Sequence, residues 1–371
     1  MRMFLLLAPA IAGLIAHGSA AQEKAPADQI VNVVNWSDYI DPSVLDEFTA
    51  ETRIKVVYDT YDASQAIDRR LMAGRTGYDV VVSSAARLPQ QIKAGLYQKL
   101  DRSRLPNAGN LLPEVMARLA AADPGNQYAV DYMWFTAGIA YNVKKARERL
   151  GGADPATTLA TWEAALKPDL AKRFSDCGIY VFDTAPELFA VALSDLKLNS
   201  GPRNEADLAR AADLLFRVRP FVKQIPAAEA ASALARGDIC LAVTWASDAV
   251  QARDRAREAN NEVEIGYAIP TEGTLIEIDS LSIPKDAPHV EAAYRFIDFL
   301  MRPDIAARNS RATNAASGIA AAKPLLDPKL AGDPAVYPDD EAMKHLLAVP
   351  VYDPRLQQAM IRLWTKWKGT K

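Results

Sequence analysis

Residues 30–58, IVNVVNWSDYIDPSVLDEFTAETRIKVVY, hold two apolar β-branched runs with a helical pattern between them. The runs Ile30 to Val34 and Ile54 to Tyr58 predict strands, because closely spaced Val and Ile suit a pleated, half-buried surface. Between them Asp41 offers a capping side chain, Pro42 sits at a first-turn position, and Leu45 and Phe48 fall three apart on one face, which predicts a helix. Strand, helix and strand in so short a span is the unit from which α/β folds are built.

The alternation continues outward from this stretch. Strands are predicted over Asp79 to Ser83, Ile139 to Val143, Gly178 to Phe182, Ile239 to Trp245 and Val263 to Ile269. A helix over Val290 to Met301 places Ala293, Phe296, Ile297 and Leu300 on one face and stops at Arg302-Pro303. The chain of 371 residues exceeds what one core usually organises, so two domains are expected. No repeat, low-complexity tract or flexible linker separates them, which points to short crossings and a chain that passes between the domains more than once.

Composition narrows the partners. With 43 Lys and Arg against 46 Asp and Glu the net charge is −3, and the basic residues are interspersed with acids, which argues against nucleic acid. Met1-Arg2-Met3, the apolar run Phe4 to Ala16 and the small residues to Ala21 read as a secretory signal peptide over residues 1–20. The apolar run falls short of the roughly 18 to 20 residues that span a bilayer, so it is not read as a membrane anchor. No Cys stands near the cleavage site to take a lipid, and the mature chain is expected free in a periplasm-like space. There the only two cysteines, Cys177 and Cys240, would form one disulfide between neighbouring strand ends, the alternative being two separate buried thiols.

Enzyme chemistry finds little support. His289 and His345, the histidines left after cleavage, have no metal-ligand spacing to each other or to a Cys, so no metal site is expected. G-x-S-x-G, G-x-G-x-x-G and phosphate-loop patterns are absent. Ser194-Asp195-Leu196-Lys197 matches S-x-x-K but lacks the companion motifs of penicillin-recognising enzymes. A carboxylate-only active site stays open. Two segments instead set carboxylates beside aromatic rings at predicted strand ends: Asn35-Trp36-Ser37-Asp38-Tyr39-Ile40 and Thr244-Trp245-Ala246-Ser247-Asp248. Rings attract cations and carboxylates accept charged hydrogen bonds from them, so the pairing suits an organic ammonium. The plainer reading makes Trp36 and Trp245 core residues and Asp38 and Asp248 helix caps.

Collinear motifs extend these two segments from about residue 30 to Lys371: Lys55-Val56-Val57-Tyr58-Asp59, Leu71-Met72-Ala73-Gly74, Tyr132-Met133-Trp134, Gly237-Asp238-Ile239-Cys240, Arg302-Pro303-Asp304 and Trp364-Thr365-Lys366. Together they resemble the periplasmic polyamine-binding proteins of ABC transporters, most of all the putrescine-binding type. The resemblance implies a type II periplasmic-binding-protein fold, with two α/β lobes joined by hinge crossings around a ligand cleft. The lobes would comprise residues 28–136 plus 272–320 and residues 137–271 plus 321–371. Both cysteines match the family's disulfide pair. Ligand contacts are expected from Trp36, Ser37, Asp38, Tyr39, Ser84 and Asp279 of the first lobe and from Glu187, Trp245 and Asp248 of the second. No cofactor is implied. The implied partners are a small cationic amine, such as putrescine, spermidine or agmatine, and an inner-membrane permease, with the protein itself a monomer. The rival readings are a secreted carboxylate-dependent hydrolase and a ligand-occupied sensor subunit docking on a membrane receptor.

The chain departs from the putrescine binders at Ala86 and Ala227, where they carry serine, at Ala315, where they carry tyrosine, and at Arg87, which replaces an aromatic. The sharpest departure is Glu277, in place of a pocket phenylalanine. Counted with Glu187, Asp248, Asp279 and Asp38, it gives more negative charge than a diamine offsets. The excess would be met by protonation, by Arg87, or by a ligand with more charge or greater length fitting the space at Ala227 and Ala315. Alternatively Glu277 faces solvent at the pocket rim.

Overall fold

A computed structural model describes residues 29–198, 201–202, 204–223, 226, 229–349 and 352–370. The predicted signal peptide and Ala227 lie outside the described residues. The chain folds as a mixed α/β protein of two lobes built on one sheet. In the first lobe β1 (Ile30–Trp36) lies parallel to β2 (Lys55–Tyr61) and to β3 (Val80–Ser84). Strand β8 (Thr274–Ser282) then runs antiparallel between β3 and β4 (Ala129–Asn142). The second lobe adds β5 (Ile179–Tyr180), β6 (Leu241–Trp245) and β7 (Ile265–Ala268). Short strands β9 (Ala316–Ser317) and β10 (Leu346–Ala348) pair with β4 and β8.

Strand β4 is the crossing. Its residues through Thr136 pair with β8, and from Ala137 onward they pair with β6 and β7. Gly138 permits this junction: a Cβ there would stand 2.5 Å from the Tyr267 ring and 2.7 Å from the Ala268 carbonyl. Tyr267 packs into that space and its hydroxyl donates to the Thr136 carbonyl at 2.8 Å.

The local readings from sequence meet the structure with two corrections. The helix Pro42–Thr52 forms and Asp41 caps it, accepting from Ser43 N at 2.9 Å. Its buried face is Val44 and Phe48, four apart, rather than Leu45 and Phe48, and Leu45 only flanks the core. Phe48 meets Phe296 and Phe299 of the helix Val290–Leu300 edge to face at 5.1 and 5.3 Å. The second correction is larger: β4 begins ten residues before the predicted Ile139, and β8 was not expected as a strand at all.

In the second lobe the helices Ala185–Asp195, Glu205–Val218 and Pro354–Gly369 pack together over a core that includes Trp162, Phe174 and Phe189. Cys177 and Cys240 are joined in a disulfide, their Cα atoms 5.5 Å apart at the entrances to β5 and β6. Ser194 lies buried in its helix with its hydroxyl given to the Gly273 carbonyl at 3.3 Å, which removes it as a nucleophile. His289 is likewise structural, its Nδ1 3.0 Å from the fully buried Asp79.

Candidate functional site

A cavity of about 750 Å³ opens between the lobes, and all ten side chains expected at the ligand line it. The end of β1 and the turn after it deliver Trp36, Ser37, Asp38 and Tyr39. Asp38 takes a left-handed φ of 54°, and the turn is pinned through the Tyr39 carbonyl. That oxygen accepts from the Asn35 side chain at 3.2 Å and from the Tyr132 hydroxyl at 2.7 Å. Asp38 therefore caps no helix, since Asp41 does.

Ser84 closes β3, and β8 contributes Glu277 and Asp279 from alternate positions, hence one face. From the second lobe, Glu187 stands in the first turn of the helix Ala185–Asp195. Trp245 ends β6 and leads into the helix Ala246–Ala259, whose first turn carries Asp248. Sites at strand ends, where a sheet passes into loops and helix starts, are the usual ligand positions of α/β proteins.

Two indoles form the walls. Trp36 rests on Tyr61 at 4.3 Å between ring centroids, and Trp245 is held between Phe182 at 5.1 Å and Phe135 at 5.5 Å. Both tryptophans are partly exposed toward the cavity rather than core residues. Phe135 lines the cavity as well and was missed from sequence, because the part of β4 that carries it was not expected to be strand.

The electrostatics are one-sided. Asp62 and Asp254 join the five acids already named, and no Lys, Arg or His among the described residues lines the cavity. Asp279 is buried and accepts from the Trp36 indole N–H at 2.9 Å. Burial pushes its carboxyl up to about 6, against the pull of the Trp36 and Tyr39 donors beside it. Glu277 is only 9% exposed, which excludes the rim position. Burial foremost, and then the neighbouring Asp279, hold its carboxyl well above the usual range, although the Ser84 hydroxyl donates to it. Asp248 is raised too, again chiefly by burial, while accepting from Thr244. Oε2 of Glu187 is buried with no hydrogen-bond partner.

The remaining departures among the described residues do not shape this cavity. Arg87 is engaged with Asp68 through both Nε and Nη2, so the expectation that it neutralises the site fails. Ala86 is exposed and Ala315 is buried at 1%, and neither lines the cavity, so Ala315 gives the ligand no extra room. No group of three or more His, Cys, Asp or Glu among the described residues is arranged to hold a metal ion.

Two α/β lobes crossed by a continuous strand, with an acidic, indole-walled cavity between them, define a solute-binding protein of the hinged, two-lobed class. The chain belongs to the family described as bacterial extracellular solute-binding protein, whose model matches residues 43–343. It is 41% identical to the putrescine-binding periplasmic protein SpuD of Pseudomonas aeruginosa, over 99% of this chain and 98% of that one. It is 38% identical to the putrescine-binding periplasmic protein PotF of Escherichia coli, over 99% of this chain and 97% of the relative. Among solved structures it resembles the spermidine/putrescine ABC transporter substrate-binding protein PotD of Streptococcus pneumoniae, with a TM-score of 0.82 and 28% identity, covering 92% of this chain and 98% of the other.

Proposed function

We propose that this protein is the substrate-binding component of a polyamine ABC transporter, holding an organic amine in the periplasm and presenting it to an inner-membrane permease. The observation that carries the reading is a cavity lined by seven carboxylates and, among the described residues, by no cation, with an indole wall from each lobe. A polyamine is a methylene chain bearing separated ammonium groups, and it asks for anions set apart along apolar walls. The relatives named for putrescine and spermidine binding support the same chemistry. In this reading the ten lining residues named above are the ligand contacts, no reaction is catalysed, and the protein acts as a monomer after loss of residues 1–20.

The lobes are taken as residues 28–136 plus 272–320 and residues 137–271 plus 321–371. Contacts of Tyr337 favour carrying the first lobe past residue 320, since its hydroxyl lies 3.0 Å from Ser310 Oγ and 3.3 Å from Ser317 N. With that extension the lobes meet beside the cavity through Arg253 with Asp333, and at its lining through Asn314 donating to Asp254 at 3.4 Å. A ligand touched from both sides favours the lobes closing on it.

Calorimetry with a panel of diamines, triamines and agmatine, with mass spectrometry of ligand released from purified protein, tests the proposal. One-to-one binding of at least one polyamine, recovered unaltered, is expected. Asp248→Ala and Asp279→Ala should each weaken it by about 3 to 5 kcal/mol, the usual cost of stripping one partner from a desolvated charge pair. A panel giving neither heat nor thermal stabilisation refutes the assignment.

A further inference from the structure

Beside the ligand cavity lies a second one of about 470 Å³, and Val250, Asp254 and Asn314 line both. Arg253 and Asp333 line only the second, so they stand outside the walls of the first. They meet there, Arg253 Nη1 donating to Asp333 Oδ2, with side chains only 29% and 21% exposed. Each is braced within its own lobe. Arg253 gives its Nε–H to the Ile265 carbonyl of β7 at 3.1 Å, and it follows Asp248 by five residues on the helix Ala246–Ala259. That spacing sets it about 7.5 Å further along the helix axis. The Asp333 carbonyl accepts from Tyr337 N at 2.8 Å, and the Tyr337 hydroxyl reaches Ser310 Oγ and Ser317 N of the first lobe. Next to the pair, Asp254 is held by Arg257 at 2.8 Å and accepts from Asn314, the residue after the helix Pro303–Thr313. Among the described residues no other ion pair joins the two lobes.

We propose that Arg253 and Asp333 are positioning residues for ligand retention, an ionic clasp that holds the helix Ala246–Ala259, with Asp248 and the neighbouring Trp245, against the first lobe. The inference rests on the polyamine reading and deepens it. Opening the cleft parts the two side chains and hydrates both, so their attraction acts on the closed arrangement alone. Shielded as they are, they are screened less than a pair in open water. The clasp touches no ligand atom, so it should strengthen every closed complex by one factor and act mainly on release. Its signature separates it from a charge acting at a distance. As a distant charge, Arg253 repels a bound ammonium and Asp333 attracts one, so their removal would have opposite effects. As a clasp, removal of either weakens binding.

The test titrates putrescine, spermidine and agmatine calorimetrically into wild type, Arg253→Met, Asp333→Asn and the double variant, with release followed by stopped-flow fluorescence. Each single variant is expected to weaken every amine that wild type binds by about three- to tenfold, with the ranking unchanged and faster dissociation accounting for most of the loss. The double variant should lie within about twofold of the weaker single one, because the second change removes a partner already lost. Asparagine at 333 keeps an acceptor for the Ala335 N–H, which Asp333 Oδ1 now takes at 2.9 Å, and melting curves of the ligand-free variants establish that they are folded. Should Asp333→Asn melt early, Arg253→Met decides against Arg253→Lys, which restores the charge and most of the binding. Unchanged or tighter binding by Arg253→Met, a loss that differs between amines enough to reorder them, or a double variant carrying both losses in full overturns the inference and leaves the polyamine reading standing. Absence of binding by every amine in wild type overturns both.

Discussion

At Asp279 two opposing influences act on one carboxyl. Burial among β3, β4 and the Trp36 turn favours the protonated form, whereas the Trp36 indole N–H and the Tyr39 hydroxyl beside it favour the anion, and burial wins by lifting the group from 3.8 to about 6. Between those values the folded, empty protein keeps a proton that the unfolded chain has released. Its stability therefore falls as pH rises through the window, at a slope approaching about 1.4 kcal/mol per pH unit for one group. A bound ammonium needs the anion, so ligand affinity should move the other way and rise between roughly pH 4 and 6. Melting curves of ligand-free protein and calorimetry across that range check both signs, and an affinity flat in pH would mean that Asp279 does not face the ligand's charge. Glu277, also raised, adds to the trend with the same sign.

Strands β5 and β6 lie side by side and in parallel, and the disulfide at their entrances closes a loop with a sequence separation of 63. Restricting so long a loop in the unfolded chain contributes about 4 kcal/mol in the loop-entropy account. Reduction, or replacing Cys177 and Cys240 together by Ala, should lower the melting temperature of the second lobe, and thiol titration of unfolded, unreduced protein should find no reactive thiol. This pairing was legible from two cysteines and a compartment. The strand β8 was not: Glu277 and Asp279 interrupt its apolar run, so TLIEIDSLS lacks the look of a strand buried on both faces, although all nine of its residues are buried. The acids sit inside a strand because the cavity lies against it. Similarly, only the later part of β4 reads as a strand in sequence, because its earlier part carries Asp131 with the aromatic Tyr132, Trp134 and Phe135 in place of a β-branched run, and of these Phe135 borders the site. Function is written over the periodicity at the elements that carry it. The position of the site was legible only through the collinear motifs, since composition alone left Trp36 and Trp245 as core and Asp38 and Asp248 as caps.

For the molecule as a whole, the two lobes share one sheet and one crossing strand, and they confine a very uneven distribution of charge. The whole chain carries only −3, yet seven carboxylates surround one cavity of about 750 Å³. Low-dielectric walls around a single sign of charge focus field lines outward through the mouth, so the cleft acts on a polycation before any contact is made. Capture should then be an ionic-strength-dependent event: stopped-flow fluorescence from the cleft tryptophans should show the association rate of a triamine falling about tenfold or more between roughly 10 and 300 mM salt, with dissociation changing far less. A salt-independent association rate would show that the acids serve only the bound state. If the rates follow the field, the cleft is also a scavenging device, drawing scarce polyvalent amines from a dilute surrounding of low ionic strength at a speed that affinity alone does not describe.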